Sequence, residues 1–235
     1  METGNLYLIP TLLGDVPLKK VIPDGTLDII QTIDVFIVEE IRTARRFLKK
    51  TGFSKSFDDI TFFILNEHTR QEDLSSYLLP AKTGKNTGLL SEAGTPCIAD
   101  PGSGLVSLAH QSGIRVIPCT GPSSIFLALM ASGFNGQNFS FEGYLPAERE
   151  KRNRKIKELE KATYEKDQTQ IFIETPYRNN QMIQSIVDVC RMDTRLCLAV
   201  DLTSANEWIC NMTIREWKKR KTDINKRPCV FLLYR

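Results

Sequence analysis

The chain has 235 residues, 41% of them hydrophobic and 25% charged, which is the composition of a folded globular protein and excludes a disordered or low-complexity one. Its net charge of +3 is compatible with a nucleic-acid partner but too mild to argue for one. No apolar run approaches the ~20 residues needed to span a bilayer. A cytoplasmic protein without a membrane partner is the expectation.

Residues 1–4 carry no basic leader pattern, and Pro10 interrupts the first apolar run, so the opening reads as a strand and a turn. Further short apolar runs follow at 35–38, 62–65, 88–91 and 115–118, with helical patterns between them, including 41–50 and 105–111. Strands that alternate with helices and are apolar throughout predict a parallel sheet covered on both faces. Next come a helix at 123–132 and apolar runs at 139–142, 170–174, 196–201, 208–213 and 229–234. The runs 196–201 and 208–213 have no room for a helix between them, which predicts a mixed or antiparallel sheet. The fold class is therefore α/β in two domains, 1–118 and 119–235, with the helix at 123–132 assignable to either. The charged stretch 148–166 reads first as a solvated helix with ion pairs and second as a phosphate-attracting strip.

The six cysteines, Cys97, Cys119, Cys190, Cys197, Cys210 and Cys229, form no C-x-x-C pair, and there are only two histidines. Free thiols and no metal site are the expectation. Gly102 and Gly104 do not continue into a dinucleotide fingerprint, because Ser107 stands where the third glycine belongs.

Three segments carry chemistry. Ser91-Glu92-Ala93-Gly94-Thr95-Pro96 opens a glycine- and proline-rich loop that runs to Gly104. It follows a predicted strand and precedes a helix, where open α/β sheets bind ligands. Thr120-Gly121-Pro122-Ser123-Ser124 and Glu174-Thr175-Pro176-Tyr177-Arg178 likewise leave strands and open helices. Each serves equally as a helix cap or as a ligand contact.

Segments 88–104, 115–133, 141–146 and 172–178 closely resemble the tetrapyrrole methylase superfamily. Within it they are most like the branch of ribosomal RNA small subunit methyltransferase I, which methylates a cytidine 2′-hydroxyl. Residues 6–10, 39–48, 66–67 and 199–203 fall in order with them, so the resemblance covers nearly the whole chain. It implies a homodimer that transfers a methyl group from S-adenosylmethionine, held in a cleft between the two domains, to ribosomal RNA or the small ribosomal subunit. By the same resemblance the cofactor would touch Pro10, Ser91, Glu92, Ala93, Gly94, Thr95, Thr120, Ser123, Ser124, Tyr177, Ala199 and Asp201. Arg42 and Asn66 are carried over as substrate residues.

Departures from the family pattern fall on the acceptor side. The branch usually has Thr-Pro-Ile-Gly-Asn-Leu-Gly-Asp after the first strand, where this chain has Ile9-Pro10-Thr11-Leu12-Leu13-Gly14-Asp15. The usual Glu-Asp-Thr-Arg is Glu39-Glu40-Ile41-Arg42, and an aspartate of the main loop is Glu92. A small-molecule acceptor such as a tetrapyrrole therefore stays open, as does a non-catalytic protein that binds S-adenosylmethionine or RNA.

A ribose acceptor requires a base. Glu39, Glu67 and Glu92 are the candidates, with Glu40 beside them and no single choice among them. His68 reads as a bystander, Trp208 as core, and the basic stretch 215–227 as a solvated face that could also hold phosphate.

Overall fold

A computed structural model describes residues 3–235. Met1 and Glu2, part of the stretch read above for a leader pattern, lie outside the described residues. The chain divides into two compact units between Ser123 and Ser124.

The first unit holds β1 (Leu6–Ile9), α1 (Asp24–Gln31), β2 (Val35–Val38), α2 (Ile41–Lys50) and β3 (Thr61–Ile64). These are followed by the short helices α3 (Leu74–Tyr77) and α4 (Leu79–Lys82), then β4 (Thr87–Leu90), α5 (Ser103–Gln111) and β5 (Val116–Pro118). The strands form one sheet in the order β3-β2-β4-β1-β5, every pairing parallel. Residues of β2 and β4 are buried throughout, as strands covered on both faces must be. Ile30 of α1 and Phe47 and Leu48 of α2 pack with Ile9, Phe36 and Leu90 on one face. Leu74, Ala81, Leu105 and Ala109, from α3, α4 and α5, pack with Leu6, Ile37 and Leu89 on the other.

This arrangement creates a topological switch point. After β1 the chain crosses one face toward β2, and after β4 it crosses the opposite face toward β5. The carboxyl ends of the adjacent strands β1 and β4 therefore open into a crevice, the usual ligand position of such sheets.

The second unit holds α6 (Ser124–Ser132), β6 (Phe139–Tyr144), α7 (Arg149–Lys166), β7 (Thr169–Ile173), α8 (Asn179–Val189), β8 (Arg195–Val200), β9 (Trp208–Thr213), α9 (Ile214–Trp217) and β10 (Cys229–Tyr234). Its sheet order is β6-β7-β10-β8-β9, parallel only between β6 and β7. The hairpin β8–β9 explains the two adjacent apolar runs in the sequence. The helix that the sequence assigns to neither domain, α6, packs on β8, β9 and β10 of this unit.

Eight elements, β3 to β8 with α5 and α6, differ from the sequence expectation by one or two residues at a boundary. β4 stops before Ser91 because the Ser91 hydroxyl turns back to donate to the Gly94 carbonyl. α5 begins at Ser103, ahead of its apolar pattern, and β5 begins at Val116, although the Arg115 carbonyl already accepts from Leu6 N at 2.9 Å. Pro23-Asp24-Gly25 has the composition of a turn, yet it opens α1, with Pro23 as the cap residue.

Candidate active site

The loop after β4 is held by its own polar groups. Ser91, buried, donates to the Gly94 carbonyl and meets the Thr11 hydroxyl at 3.3 Å, while Thr11 N donates to that same carbonyl at 2.9 Å. The loop after β1 is thus fastened to the loop after β4. Gly94 sits at φ +75°, and a Cβ there would stand 2.9 Å from the Leu13 side chain, so only glycine fits. Its neighbours Glu92 and Ala93 form an exposed tip. Further along, Cys97 and Ala99 adopt φ of 68° and 55°. Non-glycine residues there cost about 1–2 kcal/mol each, a strain that gathers at functional loops.

The third contributor is the turn after β5. A Cβ on Gly121 would lie 2.2 Å from the Pro10 ring, so the β1 and β5 turns approach too closely for any side chain at this position. The Thr120 carbonyl accepts from the Thr26 hydroxyl at 2.9 Å, which ties this turn to α1. Pro10, Ser91, Glu92, Ala93, Gly94, Thr95 and Thr120 are thereby gathered at the carboxyl ends of β1, β4 and β5, all within the first unit. Ser123 closes that unit.

The remaining sequence-derived positions lie in the second unit. Ser124 is the first residue of α6, and Tyr177 is exposed, with the Lys226 ammonium 5.9 Å from its ring centroid. Ala199 is buried inside β8. Asp201, at φ 49°, accepts from Arg227 Nε at 2.6 Å. Glu174 is buried and its Oε1 accepts from Arg178 Nε and Nη2 at 3.0 and 2.6 Å, so part of the Glu174-Thr175-Pro176-Tyr177-Arg178 segment is committed to an internal ion pair.

The carboxylates divide by environment. Glu40 caps α2, accepting from the amides of Arg42 and Thr43 at 2.8 and 2.9 Å. The Arg42 amide bond holds its carboxyl below the ordinary range. Glu67 is 86% exposed in the turn after the edge strand β3, beside His68, while Asn66 spends its side-chain oxygen on the His68 amide. Glu67 and Asn66 thus follow a strand that is not a neighbour of β4 in the sheet. Glu92 and Glu39 follow the neighbouring strands β4 and β2. Glu92 Oε1 accepts from the Thr43 hydroxyl of α2 at 2.6 Å.

Asp100, which lies in the same loop and was not singled out from the sequence, completes this group. Burial, reinforced by Glu39 and Glu92 close by, pushes its carboxyl up to about 9. As an ion its Oδ2 would be buried without a partner. As a neutral acid it becomes a donor to Glu39, which removes the difficulty. An aspartate inside a strained, glycine-flanked loop was the signal available in the sequence.

Two surface hollows flank α2, and one of them adjoins the loop. One, of about 500 Å³, lies between the β1 and β4 loops and α2, with Leu12, Leu13 and Phe47 as apolar walls and Glu92, Arg46 and the paired Lys50 and Asp15 as charged groups. The second, of about 510 Å³, is lined by Arg42, Arg45, Arg46 and Lys49 of α2. The departures at Leu12, Leu13 and Glu92 therefore fall on one hollow. Arg42, the residue carried over as a substrate contact, lies in the second. All six cysteines are free, and no cluster of potential metal ligands occurs among the described residues. None of the described helices is long and apolar enough to cross a membrane.

Residues 5–218 match the family of tetrapyrrole (corrin/porphyrin) methylases. The chain belongs to that family. Over 232 residues it is 32% identical to ribosomal RNA small subunit methyltransferase I of Vibrio cholerae, covering 97% of this chain and 76% of that protein. The protein of the same name from Haemophilus influenzae is 34% identical over 234 residues, covering 98% and 78%. Among solved structures, the methyltransferase CobJ aligns over 99% of both chains with a TM-score of 0.64 at 14% identity. The cobalt precorrin-4 methyltransferase CbiF aligns over 98% and 94% with a TM-score of 0.62 at 17% identity. These two show that the two-domain α/β fold is shared. The chain is a methyltransferase of this family.

Proposed function

We propose that the protein transfers a methyl group from S-adenosylmethionine to a ribose 2′-hydroxyl, that of a cytidine in small-subunit ribosomal RNA. The observation that carries this reading is the hollow beside the β4 loop. It joins a fixed carboxylate, Glu92, to apolar walls and a cationic rim, in a chain similar over nearly its full length to proteins named as ribosomal RNA methyltransferases. The proposal includes a homodimer in the cytoplasm.

S-adenosylmethionine, when bound, supplies an electrophilic methyl on a positively charged sulfur. The first unit suits such a donor: the tip at Glu92 and Ala93 is exposed, and Glu39, Glu92 and Asp100 gather acidic groups beside it. Ser91, Thr95 and Thr120 are the hydroxyl-bearing contacts proposed in that unit.

Glu92 is the proposed base. Its Thr43 hydrogen bond fixes the carboxylate at the hollow, where it can accept the proton of a ribose hydroxyl as the new O–C bond forms. The S–C electron pair departs with the neutral thioether. Positioning and exclusion of water supply the rest.

The test offers radiolabelled S-adenosylmethionine and small ribosomal subunits to the wild-type protein and to Glu92→Gln. Label should appear in a ribose 2′-O-methyl group, and the variant should lose on the order of 10²–10⁴-fold in rate, far more than calorimetry shows it to lose in donor affinity. Full activity in the variant would remove Glu92 as the base. Donor binding by the wild type without RNA labelling would redirect the search to small-molecule acceptors.

A further inference from the structure

Helix α2 presents five cations in ten residues: Arg42, Arg45, Arg46, Lys49 and Lys50. No acid interrupts them, and Glu40, at the cap, is consumed by backbone amides. Among the described residues only Lys50 of the five has a carboxylate partner, Asp15 at 2.7 Å. Arg45 lies over Phe57 and Phe62 at 5.5 and 5.4 Å from their centroids, an arrangement that holds the guanidinium without neutralising it.

Of the two stretches that look more basic in the sequence, the one on α7 is largely paired. On α7, Arg149 pairs with Asp188, Lys151 with Glu148, Lys155 with Glu142 and Lys161 with Glu165. Arg152 is buried on Ser185 and the Ala147 carbonyl. In the 215–227 stretch, Arg227 is spent on Asp201 and Arg220 lies over the rings of Trp208 and Trp217, while Arg215, Lys218, Lys219 and Lys221 stay without a carboxylate partner among the described residues but line neither hollow. What sets α2 apart is that its unpaired cations border the hollow that contains Glu92, through Arg46.

Arg42, Arg46 and Lys49 recur at i, i+4 and i+7 and so form one stripe, roughly 10 Å long at the helical rise. That is longer than one phosphate group and suits successive phosphates of a strand. Arg46 belongs to both hollows, the cationic one and the one containing Glu92.

We infer that the α2 stripe is the track for the phosphodiester backbone of the acceptor strand. Arg42, Arg46 and Lys49 hold its phosphates, and the nucleotide beside Arg46 enters the hollow between Leu13, Phe47 and Glu92. This rests on the RNA reading above and names the surface that serves it. The occupant is a polyanionic strand because the stripe itself carries three cations and no acid, and the apolar annex beside it has room for a nucleoside.

The test measures binding of a fluorescein-labelled small-subunit RNA fragment across a salt series. It compares the wild type, the charge-reversed triple variant Arg42→Glu/Arg46→Glu/Lys49→Glu, and the α7 variant Arg149→Glu/Lys151→Glu/Lys157→Glu. Donor affinity and circular dichroism are recorded for each. The α2 variant should bind RNA at least about 30-fold more weakly, and its salt slope should shrink by about one for each phosphate it no longer holds. The α7 variant should change affinity by less than about threefold. Donor affinity should be unchanged in both, and lysine replacements at Arg42 and Arg46 should retain most of the binding. If the wild type binds RNA and the α2 reversal leaves affinity and slope as they were, the track is elsewhere and this inference falls alone. If the wild type does not bind the fragment, the RNA reading falls and the track with it.

Discussion

Replacing Asp100 by Asn tests whether the β4 loop contains a neutral acid. The folded carboxyl is raised to about 9, whereas an unfolded aspartate ionises near 3.8. Below about 4 both states hold the proton, and the group contributes no difference. As pH rises through the window from about 4 to about 9, the unfolded chain gives up its proton and the folded chain keeps it. Stability therefore falls with pH and levels off above about 9. Each unit of separation is worth about 1.4 kcal/mol at full burial, but Asp100 is only partly buried, and solvent screening reduces the sum to about 1–3 kcal/mol. Asn keeps the size and the donor to Glu39 and cannot ionise. The variant should match the wild type near pH 4 and exceed it by about 1–2 kcal/mol near pH 8. Both tryptophans lie in the second unit, so urea unfolding should be followed by circular dichroism, with hydrogen exchange of the β4 amides reporting on the first unit. A difference that stays flat across this window, or an Asn variant weaker at every pH, would mean that Asp100 is ionised in the fold and would refute the reasoning.

Two further substitutions probe how the loops are fastened. Ser91→Ala removes a buried hydroxyl that joins the β1 and β4 loops, and should lower stability by about 1–2 kcal/mol in urea titrations and weaken donor binding in parallel. Gly121→Ala places a methyl 2.2 Å from the Pro10 ring and should cost about 1–3 kcal/mol, whereas Gly25→Ala in the first turn of α1 meets nothing within 4 Å and should be neutral or stabilising by up to about 1 kcal/mol. Equal effects at the two glycines would mean that the close approach of the β1 and β5 turns is not a constraint.

Much of the architecture was legible in the sequence because it rests on local pattern. The runs at β1, β2, β9 and β10 and the helix α2 are placed to the residue, since apolar continuity and clear breakers define them. The strand order was not legible. It depends on which faces α1 and α5 cross, and those crossings are set by packing between residues far apart in the chain. The β4 loop was recognisable by its glycines and prolines, but the role of Asp100 was not, because its environment comes from Glu39, sixty-one positions earlier and one strand away. The pairing of the charge runs was not legible for a related reason: Arg149, Lys155 and Arg227 meet Asp188, Glu142 and Asp201, which come from other elements. The shorter run on α2 stays largely uncompensated because, of the surrounding acids, only Asp15 pairs with it.

The costs in this fold are concentrated where the chemistry is proposed. Cys97 and Ala99 hold left-handed backbone, Gly94 and Gly102 hold positive φ, and Asp100 holds a proton against its ordinary preference, all within one connection between β4 and α5. A loop needed only to reverse direction would not require any of these. Buried apolar clusters on either face of the sheet offset the cost, and the fastening of Ser91, Thr11 and Gly94 keeps the loop from relaxing. If the strain serves binding, substitutions that relieve it should raise stability and lower donor affinity together. Asp100→Asn is the sharpest case, since it removes one acidic proton and little else. A variant that gained stability and kept full donor affinity would show that the neutral acid serves the loop's shape alone. One that gained stability and bound the donor at least about tenfold more weakly would place the Asp100–Glu39 pair in the donor site, with about 1.4 kcal/mol per tenfold as the exchange between the two measurements.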